Sequence, residues 1–123
     1  MEEFAEENIE QQAALFAALA DPTRLKLVKL LCHQRDPHAL CVNALAGLLG
    51  VTQSAVSQHL RVLRSMGLVK GQRTGYRVHY FVNPEVLGHC RELISEALTV
   101  EETSGGQSCE EFCPRRDQDV SSP

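Results

Sequence analysis

Two groups of side chains in this 123-residue sequence have types and spacings that could do chemistry. The first is sulfur: Cys32, Cys41, Cys90, Cys109 and Cys113. An odd number of cysteines fits free thiols, soft-metal ligands or redox switches better than a disulfide framework. Cys109 and Cys113 lie four residues apart, so on one helical turn their sulfurs share a face and can close on a single ion. Ser108 with Glu111 forms a capping-box pattern at the start of that turn, and Pro114 stops it. The second group is polar. Thr52, Gln53, Ser54, Ser57, Gln58, His59 and Arg61 offer short hydroxyls, amides, an imidazole and a guanidinium, donors and acceptors suited to base edges and phosphates.

These groups need elements to hold them. Thr52 is placed to N-cap a helix in which Val56, Leu60 and Leu63 recur at helical spacing, so an apolar stripe faces inward and the polar set outward. His59 falls between the stripes, where local hydrogen bonding competes with an outward role. Upstream, residues 41–49 read as a short helix closed by Gly50, which can take the left-handed conformation of a C-cap. Helix, tight turn and second helix form a helix-turn-helix, whose second helix enters the major groove. Downstream the period changes to two: Tyr76, Val78, Tyr80 and Val82 alternate with Arg77, His79 and Phe81, a half-buried strand. Arg73, Thr74 and Gly75 sit where the hairpin reverses. The predicted fold is mainly α with a small β-hairpin wing. Arg64, Lys70, Arg73 and Arg77 join the polar stripe as the expected DNA-contacting set.

Flanking helices are predicted over residues 8–20, from Ile9, Ala13, Phe16 and Ala20, and from Asp21-Pro22 to near His33, with Asp21 as N-cap and Pro22 at the first turn. In the second, Leu25, Leu27, Val28, Leu30 and Leu31 supply a broad apolar face, and Cys32 beside it reads as a small buried hydrophobe. Residues 34–39 are a polar loop in which His38 is an auxiliary ligand candidate. Residues 84–99 form a helix with Pro84 in its first turn and Val86, Leu87, Cys90, Leu93, Ile94, Ala97 and Leu98 as an apolar stripe wide for a surface helix. His89 and Cys90 point about 100° apart on that helix and cannot readily pair as base and nucleophile. The organisation is an acidic N-terminal tail (1–7), one folded domain (8–99) and a flexible C-terminal tail carrying Cys-x3-Cys (100–123).

The formal charge of −4 does not oppose DNA binding once it is placed along the chain. Residues 21–82 carry nine lysines and arginines against two aspartates, and the remaining acids lie outside. The local field at the contact surface governs phosphate binding. No Gly-rich phosphate loop, paired carboxylates or nucleophile with a placed base is present, so no enzyme is expected. No stretch reaches the roughly 20 apolar residues of a membrane span, and the acidic start lacks a signal peptide's basic region. A soluble cytoplasmic protein without a membrane partner is expected.

Asp21-Pro22-Thr23-Arg24-Leu25, Leu40-Cys41-Val42, the run Gln53 to Leu60 and the run Leu63 to Val69 resemble, in order and spacing, the ArsR/SmtB family of metal- and redox-responsive repressors. The resemblance covers residues 10–98. It implies a dimeric winged helix-turn-helix repressor that leaves its operator DNA when an inducer binds, with the first and last long helices at the homodimer interface. Cys41 falls on the family's Cys-Val-Cys metal motif, whose second cysteine is Asn43 here. The zinc positions that many members carry on the last helix align with Pro84, Val86, Ala97 and Val100, none of which binds zinc. One thiolate cannot hold a soft ion, so Cys41 acts only if Cys109 and Cys113 come to it. Three thiolates suit As(III) or Sb(III), then Cd(II) or Pb(II), better than Zn(II). No permanently bound cofactor is expected. The alternatives are a thiol-based redox or sulfide sensor, a ligand-independent regulator, and a winged helix used as a protein-interaction module.

Overall fold

A computed structural model describes residues 6–34, 39–100 and 106–113, with side chains from residue 9. The chain runs α1 (Glu6–Leu19), α2 (Pro22–Cys32), β1 (Leu40–Cys41), α3 (Val42–Leu49), α4 (Gln53–Ser65), β2 (Val69–Thr74), β3 (Arg77–Val82), α5 (Pro84–Leu98) and α6 (Cys109–Phe112). One hydrophobic core joins α1 to α5 and the sheet, with Leu15, Leu27, Leu45, Val56, Leu60, Leu63 and Leu68 at its centre.

The helix boundaries follow local chemistry. The Asp21 carboxylate accepts from the Arg24 amide at 3.0 Å with Pro22 in the first turn, so α2 starts where two of its orphan donors are absent or satisfied. Thr52 Oγ1 accepts from the Ala55 amide at 3.1 Å and starts α4. The Asn83 side chain accepts from the Glu85 and Val86 amides and starts α5, with Pro84 at its first turn. At the end of α3, Gly50 takes φ +70° and returns its amide to Ala46 O at 2.9 Å. A side chain there would strain the left-handed backbone.

The sheet has three antiparallel strands in the order β1-β3-β2, one more than a hairpin alone. β1 is two residues long, pairing Leu40 with Tyr80 and Cys41 with His79, and so ties the start of α3 to the wing. The Gln34 side chain braces the same junction, donating to Tyr80 O and accepting from the Leu40 amide. Between β2 and β3, Gly71 stands opposite Tyr80. A Cβ at Gly71 would come within 2.9 Å of Val78 Cγ1 and 3.1 Å of a Tyr80 ring carbon, so the glycine lets the strands close with the aromatic ring across it.

Three readings of the sequence are corrected, and the stripe on α1 is assigned. The inward stripe of α1 is Gln12, Leu15 and Ala18, whereas Ile9, Ala13, Phe16 and Ala20 face outward. Gln12 is buried because its amide donates to Leu93 O at 3.0 Å and docks α1 on α5. The hairpin reverses at Gly75 and Tyr76, not over 73–75: Arg73 and Thr74 remain paired with Val78 and Arg77, and Tyr76 stands 94% exposed at the tip. Cys32 is exposed where α2 ends, and Leu25 on the same helix is exposed as well. Ser108 makes no side-chain cap to α6, which is instead one turn closed by the Cys113 amide on Cys109 O. His38 and Pro114 lie outside the described residues.

Candidate nucleic-acid interface

The sequence from Gly50 to Ser65 places opposite chemistry on opposite sides of one helix. Val56, Leu60 and Leu63 are 0–1% exposed, and each buried aliphatic side chain contributes about 1.5–3 kcal/mol. Their burial fixes which side of α4 turns out. Gln53, Ser54, Ser57, Gln58, Arg61 and Arg64 are all exposed on that outer side. α4 is about 20 Å long at 1.5 Å per residue, enough to lie in a major groove.

The outward groups differ in how free they are. Gln53 Nε2 donates to the Asn43 side chain at 2.6 Å, tying the first turn of α4 to α3. Thr52 is exposed but spends its hydroxyl on the helix cap. His59 is turned back: Nδ1 stands 3.4 Å from an Arg24 guanidinium nitrogen and 3.8 Å from Asp21 Oδ2. The bond from the Arg24 amide, aided by the nearby His59 and Arg24 charges, holds the Asp21 carboxyl below its ordinary range. Ser54, Ser57, Gln58 and Arg61 remain as the outward set at the centre of the helix.

The wing extends this surface. Lys70, Arg73 and Arg77 are exposed along β2 and β3, and Tyr76 projects from the tip. Tyr76 is the residue that sequence reasoning missed as part of this surface. Its alternation with Val78 and Tyr80 made it look inward, and the Gly75 turn at φ +68° is what ends the alternation.

The thiols are spread out. Cys41 is half-buried as the N-cap of α3; Cys32, Cys109 and Cys113 are exposed; Cys90 is buried on α5. Burial pushes the Cys90 thiol up, which keeps it protonated and unreactive. Among the described residues no group of three His, Cys, Asp or Glu side chains stands close enough to hold a metal ion. The single chain therefore does not bring Cys41 together with Cys109 and Cys113. Nor, among the described residues, is any helix long and apolar enough to cross a membrane.

Known proteins share this arrangement. A family model described as "Bacterial regulatory protein, arsR family" matches residues 21–70, which span α2 to the start of the wing. A transcriptional repressor SmtB homolog from Synechocystis sp. is 47% identical over 74 residues, 60% of this chain and 53% of its own length, so the chain spans about half of that relative. The arsenical resistance operon repressor of Escherichia coli is 38% identical over 88 residues, 72% of this chain and 73% of its own. The solution structure of a homodimeric winged helix-turn-helix DNA-binding domain, from a possible ArsR-family regulator of Mycobacterium bovis, superposes with a TM-score of 0.58. It is 29% identical and covers 72% of this chain and 80% of that one. The α3-turn-α4 unit, its wing and these matches together establish a winged helix-turn-helix of a regulatory and not an enzymatic lineage: the chain belongs to the ArsR family of bacterial regulatory proteins.

Proposed function

We propose that this chain is a cytoplasmic, homodimeric transcriptional repressor that binds operator DNA through α4 and the wing. We further propose that it leaves the DNA when a thiophilic metalloid, As(III) before other ions, is held by Cys41, Cys109 and Cys113. The observation that carries the DNA reading is the outward face of α4, where exposed amide, hydroxyl and guanidinium groups sit over three fully buried aliphatic anchors. Exposed Lys70, Arg73 and Arg77 supply the phosphate contacts beside it. Support for a dimer comes from Ile9 and Phe16 on α1 and Leu98 on α5, large apolar side chains 40–68% exposed in the single chain. Two copies would set their α4 helices about 34–36 Å apart, one turn of DNA.

The inducer part rests on chemistry: three thiolates match a trivalent metalloid better than a hard or borderline ion. Cys41 occupies the N-cap position of α3, the helix that Asn43 and Gln53 bond to α4. Drawing Cys41 toward the tail thiols would move α3 and, with it, the reading helix. A coupling of about 1–3 kcal/mol changes operator affinity several-fold to over a hundredfold. Exposure of Cys32, Cys109 and Cys113 favours a second reading, in which peroxide takes two thiols to a disulfide and is itself reduced to water.

The test uses a duplex that the full chain enriches from a random-sequence pool. With about 6–10 phosphates engaged, affinity falls by roughly 10³–10⁵ between 50 and 200 mM salt; weak salt dependence means a protein-interaction module instead. Arsenite is then titrated onto the complex of reduced protein, with cadmium, zinc and peroxide in parallel. Cys41→Ser, and Cys109→Ser with Cys113→Ser, leave DNA binding intact and abolish release by arsenite. Release that survives the double tail substitution eliminates this thiolate set.

A further inference from the structure

Arg24 sits in the first turn of α2, yet its side chain serves three other places. Nε donates to Ala18 O at 2.6 Å and one terminal nitrogen donates to Ala17 O at 3.2 Å. These are carbonyls of the last turn of α1, where helix amides run out; Ala17 O also accepts from the Ala20 amide at 3.4 Å. α1 carries no basic residue in its own last turn, so Arg24 supplies the cation there. The other terminal nitrogen stands 3.4 Å from His59 Nδ1, halfway along α4. Asp21, whose carboxylate accepts from the Arg24 amide, lies 3.8 Å from the same imidazole nitrogen. One corner of the chain thus holds the end of α1, the start of α2 and the middle of α4.

The bond has a required sense. A guanidinium only donates, so in this link His59 Nδ1 is the acceptor. Hydrogen bonds are directional where apolar contacts are not. Val56, Leu60 and Leu63 hold α4 against the core but tolerate a small roll about its axis. A roll of a few degrees changes which side chains reach base edges while leaving the apolar burial nearly unchanged. The link from Arg24 to His59 opposes that roll. It refers α4 to α1, the helix that Gln12 docks on α5 and whose outer face carries exposed Ile9 and Phe16.

We infer that Arg24 is a positioning residue for sequence reading: through His59 it fixes the rotation of α4 relative to α1, so that the base-reading face of one copy is set by the helix that meets the other. His59 is then the internal receiver of this link and not a DNA contact. The inference rests on the DNA-binding reading above and adds how that surface is aimed.

The experiment compares affinity for the enriched duplex with affinity for an unrelated duplex of equal length, using full-length protein. His59→Leu keeps the three buried anchors and the bonds from Arg24 to α1. It lowers the melting temperature by no more than the several degrees that one such bond is worth and leaves the affinity for unrelated DNA near that of the parent. It lowers the ratio of specific to unrelated affinity roughly tenfold or more, the worth of one hydrogen bond to a charged group. His59→Asn places an amide oxygen close to where Nδ1 accepts and recovers most of the ratio. Arg24→Lys cannot reach three acceptors at once and also lowers it, and adding His59→Leu to Arg24→Lys costs little more, because the shared link is already broken. A parental ratio in His59→Leu, failure of His59→Asn to recover it, or losses that simply add, overturns the link while leaving DNA binding in place. Failure of the chain to enrich any duplex overturns the DNA reading itself, and the positioning role with it.

Discussion

Residues 50–65 and residues 106–113 contrast in how the chain commits itself. In the first, Gly50 closes one helix, Thr52 opens the next, and Val56, Leu60 and Leu63 are buried so completely that the outer face of α4 has a fixed composition. In the second, every residue is exposed, the cap pattern at Ser108 goes unused, and the α6 turn rests on backbone bonds. A surface that reads DNA gains from being built in advance, since groups already in place lose little freedom on binding. Soft-ion ligands carry no such requirement: the ion's own bonds can supply the ordering when it arrives. On the proposed function, the contrast is a division between a preformed reading head and a thiol segment that would take its working shape only with its ligand.

Breaking the anchors tests the first half most severely. Leu60→Ala removes a side chain 1% exposed at the centre of the core and costs about 2–5 kcal/mol, read as a fall in the unfolding midpoint and accompanied by loss of DNA binding. A loss under about 1 kcal/mol would show that the core does not hold α4 as tightly as its burial indicates. Thr52→Ala removes the cap on the Ala55 amide and costs about 1 kcal/mol by the same measurement. Arg61→Ala separates reading from folding. It leaves the unfolding midpoint within about 0.5 kcal/mol of the parent and lowers the slope of log affinity against log salt by about one. An unchanged slope would remove Arg61 from the phosphate contacts.

How much of this was legible followed from whether one chain's local pattern determines the outcome. On α4, a 3.6-residue apolar period and a strong cap point the same way, and both are realised. On α1 the pattern left two outcomes open, because an apolar stripe looks the same whether it meets the chain's own core or is left facing outward. Ile9 and Phe16 face out, while the polar Gln12 is buried through a bond to Leu93 O, 81 residues away, that nothing local signals. The two-residue β1 is too short to show any alternation, and Tyr76 continued a strand pattern that the Gly75 turn cuts off. Cys41, Cys109 and Cys113 stood out by residue type and spacing, but their meeting is not written in either the sequence or the single chain. The corner of Asp21, Arg24 and His59 joins residues up to 38 positions apart and appears only once α2 and α4 are packed.

That corner also gives a pH signature for the built half. The Asp21 carboxyl titrates below its ordinary value near 3.8, first through its bond from the Arg24 amide and then through the charges beside it. Because the folded value is depressed, its contribution to stability is whole above the ordinary value and is lost as pH falls through the folded one. Asp21→Asn keeps an oxygen for the cap and removes the titration. In acid unfolding curves the parent therefore loses part of its stability below about pH 4 that the variant does not lose, while the two converge in slope near neutrality. Equal acid slopes would mean that the charged carboxylate stabilises this corner no more than a neutral amide does.

The smallest effect belongs to the other half, and there the expected result is near zero. Cys109 and Cys113 are exposed on a one-turn helix. Replacing both with serine changes a weakly polar sulfur for a hydroxyl in water, so the unfolding midpoint moves by less than about 0.5 kcal/mol in metal-free protein. Repeating the measurement with saturating arsenite sharpens the point. A ligand that binds only the folded state raises stability by about 2.7 kcal/mol at a hundred times its dissociation constant, so the parent melts higher and the double variant does not. If the variant were destabilised without any ion, the segment would already be part of the fold, and the division between a built half and a ligand-ordered half would fail. If instead the parent gained nothing from arsenite, the division would survive and the metalloid would be the wrong inducer.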